Sequence, residues 1–415
     1  MTKKFYIKTF GCQMNVADSR VMGELLLKSG FEKTEDPSTA DVVIFNSCSV
    51  RKHAEDRLFS NLGLTMKKNP SARFILAGCT AQRFGEKLLK RFKKLSAVLG
   101  PGEIFKIEKV VRDVLEGKKV IATGRTEYRF VERRADISEN VVIGRGCNNF
   151  CSYCVVPFLR GREEYRPSSD ILKEISCLVE SGTKEVILLG QNVNSYRDPE
   201  KGLNFCELLD EISKIKGLLR IRFLTSHPKD VPDELVVLMK KNEKIAKHIH
   251  LPVQAGSNKI LKQMNRKYTR EKYIEIAQKF RSEIPDIAIT TDIIVGFPTE
   301  TEEDFFKTED LVKKVKFDGI YVFKYSPRDG TSASKLKDAV SEEEKQRRHK
   351  RILDLARKIS LARRASFVGK TCDVLFEKNE IGHNSQNFLV FKKGAKKGSF
   401  LKLEIKDVKN EMLLA

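Results

Sequence analysis

Three cysteines carry the strongest chemical signal in the sequence. Cys147, Cys151 and Cys154 form a CxxxCxxC triad in a turn that follows a short apolar stretch. Three thiolates this close in the chain can wrap one metal cluster. A [4Fe–4S] cube on three such ligands keeps one iron open to a substrate or cofactor. Zinc would want four ligands or a closing histidine, and His53, His227, His248, His250, His349 and His383 all lie far from the triad. A second set is dispersed but alike in context. Cys12, Cys48 and Cys79 each stand directly after an apolar strand pattern and before a helical one: Thr9-Phe10-Gly11-Cys12, Phe45-Asn46-Ser47-Cys48 and Leu76-Ala77-Gly78-Cys79. In a parallel sheet these positions share one edge, where helix N-termini favour thiolate. The spacing therefore predicts a second three-cysteine cluster. Cys177, Cys206 and Cys372 lack such company and read as ordinary core or surface residues.

The elements that must position these thiols follow from periodicity. Strands are expected at Lys4–Phe10, Asp41–Phe45 and Arg73–Ala77, alternating with helices at Asp18–Lys28, about Arg51–Lys67 and Phe84–Phe92. Short buried strands alternating with amphipathic helices predict a parallel sheet covered on both faces. The charged, turn-rich stretch after Lys118, with Arg125, Arg129, Arg133 and Arg134, reads as a linker. From Val141 six further strand–helix units fit a partial barrel. Its expected strands are Val141–Gly144, Glu185–Gly190, Ile221–Ser226, His248–Val253, Ala288–Gly296 and Gly319–Ser326. A basic helix from Ser341 to about Phe367 precedes short strand-like runs that suggest a small β-barrel. The fold class is thus α/β, divided as 1–117, a linker 118–135, a core 136–366 and a β domain 367–415.

The chain has 415 residues, with 78 Lys+Arg against 56 Asp+Glu and a net charge of +22. That surplus suggests a polyanionic partner. Apolar runs are far shorter than the ~20 residues of a spanning helix, so no membrane segment is expected. Phe5-Tyr6-Ile7-Lys8 after Met1-Thr2-Lys3-Lys4 does not read as an export signal, and the cytoplasm is the expected compartment. There, clustered cysteines point to metal or redox chemistry rather than to disulfides.

The CxxxCxxC spacing with Tyr153 before its last cysteine resembles the radical S-adenosylmethionine (SAM) enzymes. The resemblance implies a [4Fe–4S] cluster on Cys147, Cys151 and Cys154 that chelates and reductively cleaves SAM to a 5′-deoxyadenosyl radical. It also implies cofactor contacts at Tyr153, at Gly190-Gln191-Asn192, and at Ile294 and Gly296. Both triads together are similar to the methylthiotransferases, which join an auxiliary-cluster domain, a radical SAM barrel and a TRAM domain. Gly11-Cys12-Gln13-Met14-Asn15, Asn46-Ser47-Cys48-Ser49-Val50-Arg51 and Val155-Val156-Pro157-Phe158-Leu159-Arg160-Gly161-Arg162-Glu163 are most similar to the MiaB type.

This resemblance implies methylthiolation of C2 of N6-isopentenyladenosine beside the tRNA anticodon. It implies two [4Fe–4S] clusters, SAM, an external one-electron donor and a monomer. It places RNA contacts on Lys392, Lys393, Lys396, Lys397, Arg347 and Arg348. Related types act on threonylcarbamoyladenosine, whose carboxylate would want a cation such as Arg160 or Arg162, or on a ribosomal protein aspartate. A non-enzymatic alternative is an RNA-binding iron–sulfur redox sensor.

Overall fold

A computed structural model of the chain describes residues 2–49, 52–125 and 128–415, and divides them into two compact units. Residues Val50 and Arg51, the end of one motif above, lie outside the described residues, as do Thr126 and Glu127 of the expected linker and the side chain of His53.

The first unit holds the chain to Arg134, together with Arg145–Asn148 and Val155–Arg166. Its centre is a six-stranded parallel sheet in the order Glu32–Lys33, Lys4–Phe10, Val42–Ser47, Arg73–Gly78, Leu95–Leu99 and Val120–Ala122. Every residue of Val42–Ser47 is buried, as a strand covered on both faces must be. Alternation divides its side chains. Val42 and Ile44 join the helices Gln13–Lys28 and Ile107–Leu115 in one core, while Val43 and Phe45 join Lys52–Lys68 and Glu86–Arg91 in the other.

Two expectations change here. The helix expected over Phe84–Phe92 is two short helices, Cys79–Phe84 and Glu86–Arg91, parted by Gly85 at φ +48°. The range read as linker from residue 118 contains Val120–Ala122, which adds the sixth strand beside Leu95–Leu99. Three residues are too few to show a period, so charge dominated the reading.

The second unit holds Ala135–Gly144, Asn149–Cys154 and Pro167–Ala415. Six parallel strands follow in chain order: Ser138–Val142, Glu185–Leu189, Arg220–Phe223, His248–His250, Ala288–Val295 and Gly319–Lys324. They form two three-stranded ladders. The gap between ladders is spanned by the Ile221–Ile245 bridge and by Ser226 N–H donating to the His250 carbonyl at 3.1 Å. Helices Ser168–Glu180, Phe205–Ser213, Asp233–Lys241, Arg270–Glu283 and Glu302–Val315 alternate with these strands. Two of them begin on capping boxes, Asn204 with Glu207 and Thr301 with Asp304. This is the partial barrel that six strand–helix units predicted.

The C-terminal sheet has six strands, where the sequence shows strand-like runs at Cys372–Phe376, Phe388–Phe391 and Leu401–Ile405. Ile381–Asn384, Asp407–Lys409 and Met412–Leu414 were too short or too polar to read. Its core contains Phe367, Val374, Phe376, Phe388, Val390, Ile405 and Leu413, with Ala288 of the barrel. Buried charge also ties the sheet to the barrel. Arg220 donates to the carbonyls of His383 (2.8 Å) and Asp373 (3.0 Å), and Arg222 to those of Asn384 (2.5 Å) and Ser385 (3.2 Å). Glu185, on the adjacent strand, accepts from Arg222 at 2.8 Å and Arg220 at 3.5 Å. Among the described residues no helix is long and apolar enough to cross a membrane.

Candidate functional site

Register brings the N-terminal thiols together. Phe10 pairs with Ser47, and Ser47 with Gly78, so the three strands end level. Cys12, Cys48 and Cys79 follow those ends, and Cys48 N–H donates to the Phe10 carbonyl at 2.8 Å. Cys12 is the N-cap of helix Gln13–Lys28, and Cys79 is the first residue of Cys79–Phe84.

A buried amide pair fixes the arrangement. Asn15 and Asn46 are both fully buried. Asn15 Nδ2 donates to Asn46 Oδ1 at 3.0 Å, and Asn46 Nδ2 donates to the Asn15 carbonyl and Ser19 Oγ, each at 2.9 Å. Asn15 Oδ1 in turn accepts from Cys12 Sγ at 3.3 Å. Gly78, at φ +88°, lies against this pair. A Cβ there would stand 2.7 Å from the Ser47 carbonyl oxygen and 2.9 Å from Asn15 Nδ2. Thr80 Oγ1 donates to the Cys48 carbonyl at 3.1 Å.

The electrostatics suit a thiolate. A hydrogen bond from Cys48 leads in pulling the Cys12 thiol down to about 5, helped by the Arg160 charge and the Asn15 and Met14 backbone and opposed by burial. Burial pushes the Cys79 thiol up, against the pull of Arg160. The side chains of Asp18 and Arg160 are 1% and 4% exposed, and they pair at 3.1 Å. Arg145 reaches the same Asp18 at 3.4 Å and lies over the Tyr128 ring. Arg160 therefore serves a buried carboxylate beside the thiols and is not a free cation for a substrate carboxylate.

Cys147 belongs to this unit. Its N–H donates to the Gly161 carbonyl at 3.0 Å. Gly146, at φ +80°, abuts the backbone of Gly161 and Arg162, where no side chain would fit.

Cys151 and Cys154 belong to the barrel unit. Cys154 N–H donates to the Cys151 carbonyl at 2.9 Å, and Ser152 N–H to the Met264 carbonyl at 3.0 Å. Asn265 Nδ2 donates to the Phe150 carbonyl at 2.9 Å. Arg266, buried, puts Nη1 3.3 Å from Cys151 Sγ, Nη2 on the Pro252 carbonyl at 2.8 Å and Nε on Tyr268 Oη at 2.9 Å. Burial opposes its charge, but Tyr268, Tyr153 and Cys151 hold it above its ordinary pKa. No motif pointed to Arg266 or Asp18. Asn15 and Asn46, by contrast, stand inside the quoted segments.

Among the described residues no three Cys, His, Asp or Glu side chains stand close enough to hold a single metal ion. In a cube each thiolate binds its own iron, so a cluster takes its ligands farther apart. The N-terminal thiols, with Cys12 acidic and the buried Arg160 beside Cys12 and Cys79, fit such a group.

The expected cofactor contacts are spread over the barrel. Tyr153 and Ile294 pack on one apolar cluster with Phe297, Tyr325 and Ala333. Gly296 has φ +70° and is covered by the Lys345 stem, so packing alone excludes a side chain there. Gly190 directly follows the second barrel strand. Beside Gln191, Asn192 spends its side chain on the next loop: Nδ2 donates to Asp230 at 2.7 Å, and Oδ1 accepts from His227 N–H at 3.1 Å.

His227 precedes the short turn Pro228–Asp230. Its Nδ1 accepts from Lys229 N–H at 3.3 Å, and burial followed by the charges of Arg266, Lys229 and Lys267 brings its pKa down to about 2. The ring is therefore neutral with its proton on Nε2, an atom with no partner.

The RNA-contact expectations divide. Arg348 is a correction. It is buried, donates to Glu300 Oε2 at 2.8 Å and stacks its charge over Phe305, because the carboxylate of Glu300 is itself buried. Arg347 is exposed but paired with Glu302 and Glu344. Lys397 pairs with Asp136 at 2.9 Å, and Lys393 and Lys396 are exposed.

Comparison with known proteins follows the same division. Residues 141–312 match the Radical SAM superfamily, and residues 4–100 match Uncharacterized protein family UPF0004. A tRNA-2-methylthio-N(6)-dimethylallyladenosine synthase of Thermodesulfovibrio yellowstonii is 50% identical over 385 residues, covering 91% of this chain and 89% of that one. One of the same name from Caldicellulosiruptor saccharolyticus is 45% identical, covering 94% and 84%. This chain belongs to the tRNA-2-methylthio-N(6)-dimethylallyladenosine synthase family.

The radical SAM methyltransferase TsrM of Kitasatospora setae, solved with cobalamin and a [4Fe–4S] cluster, superposes with a TM-score of 0.58 at 15% identity, covering 80% of this chain and 77% of that one. At that identity the likeness is one of fold. In this synthase-family chain the radical SAM match begins at the first barrel strand and takes in the CxxxCxxC triad.

Proposed function

We propose that this chain transfers a methylthio group to C2 of N6-dimethylallyladenosine beside the anticodon of tRNA. The observation that carries the reading is identity of 45–50% to synthases of that name over at least nine-tenths of the chain, with all six motif cysteines present. Cys147, Cys151 and Cys154 would hold one [4Fe–4S] cluster and Cys12, Cys48 and Cys79 a second. Bound there with SAM, these groups supply one-electron cleavage and a source of sulfur.

The protein's own part is positioning. The Asn15–Asn46 pair holds the Cys12 loop against the strand that precedes Cys48. Arg266 fixes the Cys151 thiol and, through Pro252 and Tyr268, the end of the fourth barrel strand. No general base is required, because C2 of adenine carries no acidic proton. The five carbons of the substituent, at ~0.8 kcal/mol each, can contribute up to ~4 kcal/mol of preference over bare adenosine. An external one-electron donor, a monomeric state and a cytoplasmic setting complete the reading.

The test offers reconstituted protein two tRNAs, one with dimethylallyladenosine and one with threonylcarbamoyladenosine, and reads nucleoside masses. A methylthio gain on the first supports the assignment. A gain on the second alone overturns the substrate and leaves the reaction type standing. Iron analysis tests the cluster count. The parent should hold about eight iron per chain, and the variant with Cys147, Cys151 and Cys154 changed to Ala about four.

A further inference from the structure

Arg160 ends the short helix Val156–Arg160, which packs against Cys79–Phe84. Gly161 follows at φ +80°, and the Arg160 carbonyl accepts from Arg125 Nη2 at 2.7 Å. Backbone and side chain are thus both fixed. Nη2 donates to Asp18 at 3.1 Å, and Asp18 also serves Arg145 at 3.4 Å. One buried carboxylate is shared by two guanidinium groups. Nη1 of Arg160 is buried and has no hydrogen-bond partner. Such a donor is costly when unmet, and more so when charged, so an anionic acceptor belongs beside it. Its neighbours are Asp18, Cys12 and the Cys79 thiol, with which the guanidinium also hydrogen-bonds. A [4Fe–4S]2+ core on three thiolates is an anion, and one-electron reduction adds a further negative charge.

We propose that Arg160 is the counter-cation of the N-terminal cluster, its free Nη1–H donating to sulfur at that site while Asp18 holds the guanidinium in place. Arg160 contacts the group it serves and favours the reduced form. The proposal rests on the reading of Cys12, Cys48 and Cys79 as cluster ligands.

The test uses the full chain with Cys147, Cys151 and Cys154 changed to Ala, so that the N-terminal cluster holds all the iron. Three versions are compared: Arg160 intact, R160K and R160Q. Iron per chain is measured first, then the midpoint by redox titration. R160Q should lower the reduced-to-oxidised ratio at fixed potential about tenfold, a shift of 59 mV to more negative potential for one electron. R160K keeps the charge and should stay within about threefold of the parent. A midpoint unmoved in R160Q, or moved equally in both variants, overturns the proposal. Iron lost from R160Q but kept by R160K supports it. Iron lost from both makes Arg160 a structural prop and overturns it. A parent that binds no iron overturns the cluster reading as well, so the two failures are told apart.

Discussion

Asn46→Ala tests whether the amide pair, rather than the sheet, holds the N-terminal thiols. The side chain makes three buried hydrogen bonds, at 2.9, 2.9 and 3.0 Å, to the Asn15 carbonyl, Ser19 Oγ and Asn15 Nδ2. At roughly 1 kcal/mol net each, their loss comes to about 3 kcal/mol, or about a hundredfold in population. The loss falls on Asn15, which then has nothing to orient the Oδ1 that meets Cys12. The strand itself keeps its buried Val43, Ile44 and Phe45. Local opening of the Cys12 loop should therefore rise far more than global unfolding. The assay follows iron loss to a chelator from reconstituted full chain lacking Cys147, Cys151 and Cys154, with the urea midpoint measured on the same samples. Release should be faster by up to about a hundredfold. An unchanged rate in a variant with a normal midpoint would refute the scaffold argument, because the hydrogen bonds would then be irrelevant to the thiols.

Glu185→Gln should destabilise the barrel by about 3–5 kcal/mol, seen as a lower Tm, because Arg220 and Arg222 lose their buried partner. Burial raises the Glu185 pKa, but Arg222 and Arg220 outweigh it and the folded value is lowered; the carboxylate's contribution is present above its unfolded pKa of ~4.3 and disappears as pH falls through the folded value, so the difference between parent and variant should shrink in acid. His227 has its pKa depressed to about 2, so the unfolded chain takes up one more proton below ~6.5; stability should fall by up to ~1.4 kcal/mol per pH unit on acidification, and His227→Gln should flatten that slope. Neutralising Lys392, Lys393, Lys396 and Lys397 together should reduce the salt slope of tRNA binding by up to about three, Lys397 being already paired with Asp136, whereas an unchanged slope would move the footprint elsewhere.

Both triads stand out in the sequence because their spacing is local or repeats in register. CxxxCxxC is contained in one loop, and Cys12, Cys48 and Cys79 share a strand-end context that a parallel sheet converts into proximity. The barrel was legible because its strands alternate with helices of 9 to 14 residues, long enough to show their period. The remainder depends on contacts far apart in sequence. Asp18 meets Arg160 across 142 positions, and Arg266 meets Cys151 across 115, with no periodicity to announce either. Val120–Ala122 and the C-terminal hairpins escaped because strands of three or four residues owe their existence to a neighbour's edge rather than to their own composition.

The surplus of positive charge is the feature whose reading changes most once side chains are placed. A charge releases counterions to RNA only if it is exposed and uncompensated. Helix Glu342–Ala365 looked like the basic face, yet four of its arginines turn toward carboxylates: Arg347 to Glu302 and Glu344, Arg348 to Glu300, Arg351 to Glu309 and Arg363 to Asp318. Those arginines fasten the helix to the barrel, so removing one costs stability before it costs affinity. Arg348→Ala should accordingly lower Tm while leaving the salt slope of tRNA binding unchanged. The C-terminal sheet differs. Lys393, Lys396, Lys402, Lys406 and Lys409 are exposed on it, beside Phe400 and Leu401 at 37% exposure each. Lysines interleaved with exposed apolar side chains suit a phosphate backbone whose bases are unstacked. Because Arg220 and Arg222 bolt that sheet to the third barrel strand, RNA held there would be held in fixed register with the barrel.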